Sequence, residues 1–306
     1  MGDLLLCGWR VRSQIPLPEL HAWTADDRAP DVEISLGTVP KHLDGAKSAG
    51  PVIEVAPDNT CRLEIKRVAR YLVSGGRRVV IEPAGTGDDA AVRAFLLGTV
   101  FAMLCHQRGL YPLHASSVRI GNVCIAMAGP SGIGKSTMAA ALVQCGAVLA
   151  ADDVTVIDLS APGSPMVFPA YPQMKLWRDS LDGLNISAEG LQRVRRTFEK
   201  FTVPAAISFE TSAVPLAAIY VLLDAAGMQQ AAIRRLDGLD AVSDLTRNFY
   251  QTRLVAAMGR QGDAMQAAFK ILEAVPLYRL PLAHTFDGLR AAAQELLTRH
   301  REVTRP

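Results

Sequence analysis

Residues 129–137 read Gly129-Pro130-Ser131-Gly132-Ile133-Gly134-Lys135-Ser136-Thr137 and fit the phosphate-loop pattern G-x-x-x-x-G-K-[ST]. The apolar run 122–128 before the loop predicts a buried strand, and residues 138–144 after it are strong helix formers. Between a strand and a helix start, inward-facing backbone N–H groups and the helix dipole can hold an anion. The predicted nucleotide-binding residues of the loop are Gly129, Ser131, Gly132, Ile133, Gly134, Lys135, Ser136 and Thr137. Lys135 would bring a positive charge to the β- and γ-phosphates, and Ser136 would offer a hydroxyl to Mg²⁺.

The composition is that of a globular protein with a sizeable core. The chain has 306 residues, of which 49% are hydrophobic and 20% charged, and this length suits about two domains. Its 32 basic and 30 acidic residues leave a net charge of +2, so neither nucleic acid nor a membrane is expected as a partner. Five cysteines without C-x-x-C spacing, and no signal peptide pattern, predict reduced thiols and a cytoplasmic location.

The first part of the chain has short alternating apolar runs that predict a β-rich region. Ser74-Gly75-Gly76 lies between two such runs and predicts a hairpin. A helix is predicted from about Asp89 to Gln107, and its most apolar window, 94–105, is too short to span a bilayer. We therefore expect residues 1–110 to form a β-rich region that ends in a buried helix and could recognise the substrate.

Residues 111–306 change to strands that alternate with helices, which predicts an α/β domain around the phosphate loop. The predicted strands are 113–119, 122–128, 147–151, 153–159, 166–168, 216–223, 230–236 and 276–280. The predicted helices are 134–145, 174–184, 238–250, 262–274 and 286–300.

Two acidic residues and one histidine surround the loop in the sequence. Asp152 and Asp153 follow an apolar strand, where phosphate-loop proteins carry a carboxylate that holds Mg²⁺ or water. Adjacent strand residues point to opposite faces, so the two aspartates are expected to have different roles. A paired turn acid is the alternative. His114 lies on the predicted strand before the loop strand, although a lone histidine is more often structural.

The stretch from His114 to Asp158 resembles the catalytic domain of HPr kinase/phosphorylase, a bacterial serine kinase built on a phosphate loop. That family shows a histidine, the loop G-x-S-G-x-G-K-S and then Ala-Asp-Asp at the spacings found here. The resemblance implies that Asp152 is the base on the serine hydroxyl and that His114 supports it. It also implies that Asp153 is associated with Mg²⁺ beside Ser136.

A longer resemblance is to the HPr-kinase-like proteins of lasso-peptide biosynthesis. It is carried by the segments 113–116, 129–132, 171–177 and 215–222. The resemblance implies an HPr-kinase-like α/β domain that uses ATP and Mg²⁺ to phosphorylate a serine, typically the C-terminal one, of a precursor peptide. Self-association is compatible with it, since the HPr kinases form hexamers.

Lys175 and Arg178 follow another apolar run and could reach the γ-phosphate or a carboxylate of the acceptor. The alternative is that both are solvated helix charges whose stems cover Trp177. The basic segment 193–200 could guide an acidic peptide, although such a run is usually a solvated face.

Two other functions stay open at the level of sequence. A kinase for free serine or a sugar would share every motif and differ only in its acceptor. A nucleotide-gated binding module would bind the triphosphate without transferring phosphate.

Overall fold

The computed structural model of the chain describes residues 2–85, 89–160, 164–194, 198–205, 209–225, 232–283 and 285–302. The chain divides into two compact units, one of residues 1–112 with 250–265 and the other of residues 113–249 with 266–306. No local pattern in the sequence indicates that residues 250–265 belong with the first unit.

The first unit is built mainly from strands, as the sequence predicts. Its strands are β1 (Leu4–Leu6), β2 (Trp9–Ser13), β3 (His21–Ala22), β4 (Val32–Leu36), β5 (Lys47–Ser48), β6 (Ile53–Val55), β7 (Cys61–Ile65), β8 (Ala69–Ser74) and β9 (Arg78–Pro83). Within the described residues they form one sheet in the order β3-β1-β2-β4-β9-β8-β7-β6-β5. The predicted hairpin is confirmed: β8 and β9 pair antiparallel, and Gly75 and Gly76 adopt the positive φ angles of the tight turn.

A continuous helical segment follows this sheet. It consists of α1 (Asp89–Phe95), a π-helical turn (Leu96–Val100) and α2 (Phe101–Gln107). By length and composition the segment could cross a membrane, but 67% of its most apolar window is buried inside the structure. The hydroxyl of Tyr71 on β8 donates a hydrogen bond to the carbonyl of Val92, which ties α1 to the sheet. These contacts are those of a core helix, as the sequence predicts.

The rest of the chain alternates strands and helices. The elements are β10 (Ala115–Ile120), β11 (Val123–Ala128), α3 (Lys135–Gln144), β12 (Val148–Ala151), β13 (Val156–Asp158), β14 (Met166–Phe168), β15 (Gln173–Trp177), α4 (Arg178–Gly183), β16 (Gln192–Arg193), β17 (Lys200–Pro204), β18 (Val214–Asp224), β19 (Arg234–Leu236), α5 (Gly238–Arg247), α6 (Thr252–Ala257), α7 (Gln261–Ala274), β20 (Leu277–Leu282) and α8 (Phe286–Glu302). This alternation confirms the α/β class.

The central sheet of the second unit places the phosphate loop at one edge of its strands. β11 pairs parallel with β18, and β18 pairs parallel with β20. β10 lies antiparallel to both β11 and β12. The loop leaves the carboxyl end of β11, which is where ligands bind in open α/β sheets. The buried side chains of α3, among them Met138 and Leu142, pack in one core with α8 and the sheet.

One predicted helix was wrong in its first half. Residues 173–177 form strand β15, which pairs antiparallel with β17 in a separate three-stranded sheet, β15-β17-β16. Met174 and Leu176 are buried while Lys175 and Trp177 are more exposed, which is the two-residue period of a strand. The helix α4 begins only at Arg178. The predicted strand 230–236 begins outside the described residues, and Arg234–Leu236 is its described part.

Candidate active site

The phosphate loop curls where its glycines allow it. Gly129 has a φ of 142°, and a Cβ built there would lie 3.0 Å from the carbonyl oxygen of Leu222 on β18. A side chain at this position would therefore meet both backbone strain and a neighbouring strand. Ser131 and Gly132 form the exposed crest of the loop, and Ile133 packs against the core. The loop thus keeps its backbone open to an anion.

Lys135 lies within the curl of the loop. Its Nζ donates to the carbonyl oxygens of Gly129 at 2.8 Å and Pro130 at 3.0 Å. The residue is 7% exposed, and its burial lowers the pKa of the ammonium from 10.5 to about 8, against the opposing charges of Asp153 and Asp152. A triphosphate in the loop would supply the negative charge that this buried ammonium lacks.

Asp152 is the buried carboxylate of the site and faces the loop. Its Oδ1 accepts hydrogen bonds from the hydroxyls of Ser136 at 2.7 Å and Ser116 at 2.6 Å. Its Oδ2 accepts from the backbone N–H of Lys175 at 2.8 Å. With 3% exposure and three donors, this carboxylate is held rigidly against the helix that follows the loop.

Asp153 is partly exposed, and the partners of its carboxylate differ from those of Asp152. Its φ of 75° is unusual for a residue other than glycine, and it breaks the alternation that a continued strand would impose. Its carboxylate lies 3.3 Å from Nδ1 of His114 and 3.8 Å from Nζ of Lys175. Burial raises the pKa of Asp153, but the hydrogen bond from His114 and the charge of Lys175 outweigh it, so the pKa falls well below its usual range.

Two further residues, which the sequence did not single out individually, act on the side chains of this site. The ammonium of Lys200 on β17 lowers the pKa of both Lys135 and Asp153 through its charge, so its field reaches both. Tyr171 is 3% exposed, and its phenol has a raised pKa because of burial, while a hydrogen bond to Lys175 opposes the rise. Lys200 is in the basic segment 193–200, of which 195–197 lie outside the described residues.

Two predicted site residues have other contacts. The guanidinium of Arg178 lies 4.9 Å from the ring centre of Phe201. Within the described part of the chain it contacts neither Asp152 nor Asp153. The hydroxyl of Thr137 lies 3.0 Å from that of Ser180 on α4. The structure therefore brings Lys135, Ser136 and the two aspartates together with His114 and Lys175, and it places Arg178 on the aromatic side of β17.

The oxygen donors beside the loop fit Mg²⁺. Within the described residues, no group of three or more histidine, cysteine or acidic side chains could hold a metal by itself. Mg²⁺ bound with a nucleotide needs few protein ligands, because phosphate oxygens and waters supply the others. The hydroxyl of Ser136 and the carboxylate of Asp152 are the oxygen pair that would hold it here.

The comparisons with known proteins found only a distant similarity to solved structures. No family model and no curated protein matches the chain. Among solved structures, the Hpr(Ser) kinase/phosphatase from Coxiella burnetii is similar, with 12% identity and a TM-score of 0.32 over 63% of this chain and 96% of that chain. A likeness at this level does not identify an activity, and the kinase family implied by the motifs therefore remains a proposal.

Proposed function

We propose that this chain is an ATP-dependent serine kinase whose acceptor is the C-terminal serine of a precursor peptide. The observation that carries the transfer chemistry is that two adjacent carboxylates have different side-chain partners. Asp152 accepts a hydrogen bond from Ser136 at the phosphate loop, while the carboxylate of Asp153 contacts His114 and Lys175. One carboxylate on the metal side and one on the acceptor side is what phosphoryl transfer to a hydroxyl requires.

These contacts favour the reverse of the roles implied by the resemblance. Asp152 has three donors and faces the loop, so it suits the Mg²⁺ side. Asp153 is ionised and partly exposed, so it suits the base, with His114 positioning it. The serine hydroxyl would give its proton to Asp153 as its oxygen bonds to the γ-phosphorus and the bond to ADP breaks. Mg²⁺ would neutralise charge on the phosphates.

The peptide acceptor is supported by an aromatic and basic surface next to Asp153. Trp177 and Phe198 are 44% and 46% exposed, with ring centres 6.3 Å apart. Lys200 and Arg193 lie against aromatic rings of the same small sheet. Exposed aromatic rings with cations are typical of surfaces that bind peptide chains, and the cations suit a peptide with acidic groups or a terminal carboxylate.

The test is a phosphotransfer assay with ATP, Mg²⁺ and a precursor peptide ending in serine, read by intact mass. We expect a gain of one phosphate on that serine and no gain with Lys135→Ala. Peptide that is unmodified while free serine or a sugar is phosphorylated would replace the peptide by a small-molecule acceptor. Nucleotide binding without transfer to any of them would overturn the kinase and favour a nucleotide-gated binding module.

A further inference from the structure

A cavity of about 190 Å³ lies beside the phosphate loop, and neither aspartate of the site lines it. Residues 132–134 of the loop and Thr137 form one part of its lining, and Asp179 and Ser180 of α4 form another. The floor is apolar and comes from the end of β20 and the first turn of α8. It consists of Leu282, Phe286 and Leu289.

The chemistry of this cavity differs from that of the phosphate site. Among the described residues that line it there is no lysine or arginine, and Asp179 contributes a carboxylate. The cations Lys135, Lys175 and Lys200 all act on the side of Asp153 instead. A phosphate group would meet no cationic side chain there and would lie near the carboxylate of Asp179, whereas an uncharged ring with hydroxyl or amino donors would be accommodated.

We propose that this cavity binds the nucleoside end of the triphosphate, with the base against Phe286 and sugar hydroxyls or an amino group donating to Asp179. The inference rests on the proposed function only in that the loop holds a triphosphate. Ligand pockets usually measure roughly 300–1,000 Å³, so a cavity of this size takes one ring system rather than a larger cofactor. The phosphates then run from the loop crest towards Lys135 and Asp152.

Phe286 is held firmly enough to serve as a platform. A Cβ added at Gly183 of α4 would lie 2.1 Å from its ring, so the ring packs directly on that glycine. The backbone carbonyl of Gly183 also accepts a hydrogen bond from Arg290 of α8, at 2.7 Å. Helices α4 and α8 are thereby joined under the cavity.

The test compares the affinities of Mg-ATP and Mg-tripolyphosphate by calorimetry. Tripolyphosphate carries the phosphates without a nucleoside, so it reports on the loop alone. Ala283→Phe fills the cavity from an exposed lining position, and Ala291→Phe adds the same ring at an exposed position of α8 outside the lining. Phe286→Leu is the second variant, because it removes the ring but keeps an apolar side chain on Gly183.

We expect Ala283→Phe to weaken ATP binding by at least about tenfold while tripolyphosphate binding changes by less than about twofold. Ala291→Phe should change neither, and Phe286→Leu should weaken ATP alone. Equal effects on both ligands, or ATP binding unchanged in Ala283→Phe and Phe286→Leu, would overturn the proposal. Because the readout is binding, a chain that shows this pattern without transferring phosphate would retain the nucleoside site and lose only the kinase function.

Discussion

At the scale of single residues, the two aspartates should separate nucleotide binding from transfer. Asp152→Asn removes the charge beside Ser136 and should weaken Mg-ATP binding by about tenfold or more. Asp153→Asn leaves the loop contacts in place and removes the base, so turnover should fall by about 10²–10⁴ with ATP affinity nearly unchanged. Calorimetry and phosphotransfer rates on the same variants measure the two effects.

The opposite pattern would restore the roles implied by the family resemblance. In that case Asp152→Asn would bind Mg-ATP normally and fail in transfer, while Asp153→Asn would lose the metal-dependent part of binding. Ser117→Ala is a matched control, since Ser117 is buried on β10 and its hydroxyl accepts a hydrogen bond from Thr155 rather than donating to Asp152. It should leave both quantities near those of the unchanged chain.

Lys135 should lower the free energy of unfolding of the nucleotide-free chain, although we expect it to support nucleotide binding. The pKa of its ammonium falls from 10.5 to about 8, so at pH 7 the buried charge lowers the free energy of unfolding by up to about 3 kcal/mol. Its two hydrogen bonds to the loop carbonyls offset part of this cost, by about 1 kcal/mol each, and a substitution would lose them. We expect Lys135→Met without nucleotide to gain about 1 kcal/mol in free energy of unfolding at pH 7. Urea titrations of both forms measure it.

The pH dependence of that gain has a definite sign. A lowered pKa means that the folded chain binds fewer protons than the unfolded chain between pH 8 and 10.5, so the penalty shrinks as the pH rises through this range. The advantage of Lys135→Met should therefore be smaller at pH 9.5 than at pH 7. A variant that is less stable at pH 7, or one whose advantage grows with pH, would show that the loop hydrogen bonds outweigh the buried charge.

The sequence located these residues but could not divide their roles. The spacing from Lys135 to Asp152 follows from local strand and loop lengths, and such lengths are visible in a sequence. The turn at Asp153, with its φ of 75°, is not, because aspartate rarely adopts that conformation without support from its surroundings. Ser116 lies within a segment that carries the family resemblance, but its hydrogen bond to Asp152, thirty-six residues further along the chain, is not visible in a local pattern.

At the scale of elements, the strand β15 carries the acceptor surface that we propose. Trp177→Ala removes its exposed ring and should raise the KM for a peptide by about five- to tenfold, because aromatic anchors dominate such contacts. The KM for ATP and the maximal rate should stay within about twofold, since the loop contacts are unchanged. Steady-state kinetics with peptide and with ATP varied separately measure the split.

The control for this surface is Phe269→Ala, because Phe269 is 48% exposed and lies on α7 rather than on the small sheet. It should leave the peptide KM unchanged. If Trp177→Ala has no effect on the peptide KM, or raises the KM for free serine equally, the small sheet does not recognise a peptide.

The same sheet shows why part of the fold escaped prediction. β11, the loop and α3 follow from a strong local pattern, and their bounds lie within one or two residues of those expected. β15 depends on its pairing with β17, more than twenty residues further along the chain, and five residues of alternation are weak evidence beside apolar spacing that also suits a helix. For the same reason the sequence indicates Lys200 on β17 only as part of a basic segment.

At the scale of the whole molecule, acid should destabilise both units through buried histidines. His106 in the first unit is 1% exposed, and burial lowers its pKa from 6.5 to about 4. His300 in the second unit is 6% exposed and shares a hydrogen bond of 2.8 Å with the hydroxyl of Tyr220. Its pKa also falls to about 4, through burial and the charge of Arg299.

A lowered histidine pKa means that the unfolded chain takes up protons before the folded chain does. Stability should therefore be full above pH 6.5 and fall towards pH 4, by up to about 3 kcal/mol for each histidine. Replacement by glutamine removes the titration, so in thermal unfolding from pH 7 to 4.5 the melting temperatures of His106→Gln and His300→Gln should fall less steeply. The same change at His21, whose side chain is exposed, is the surface control. Equal slopes in all three variants would mean that the loss of stability between pH 7 and 4.5 does not come from these two buried histidines.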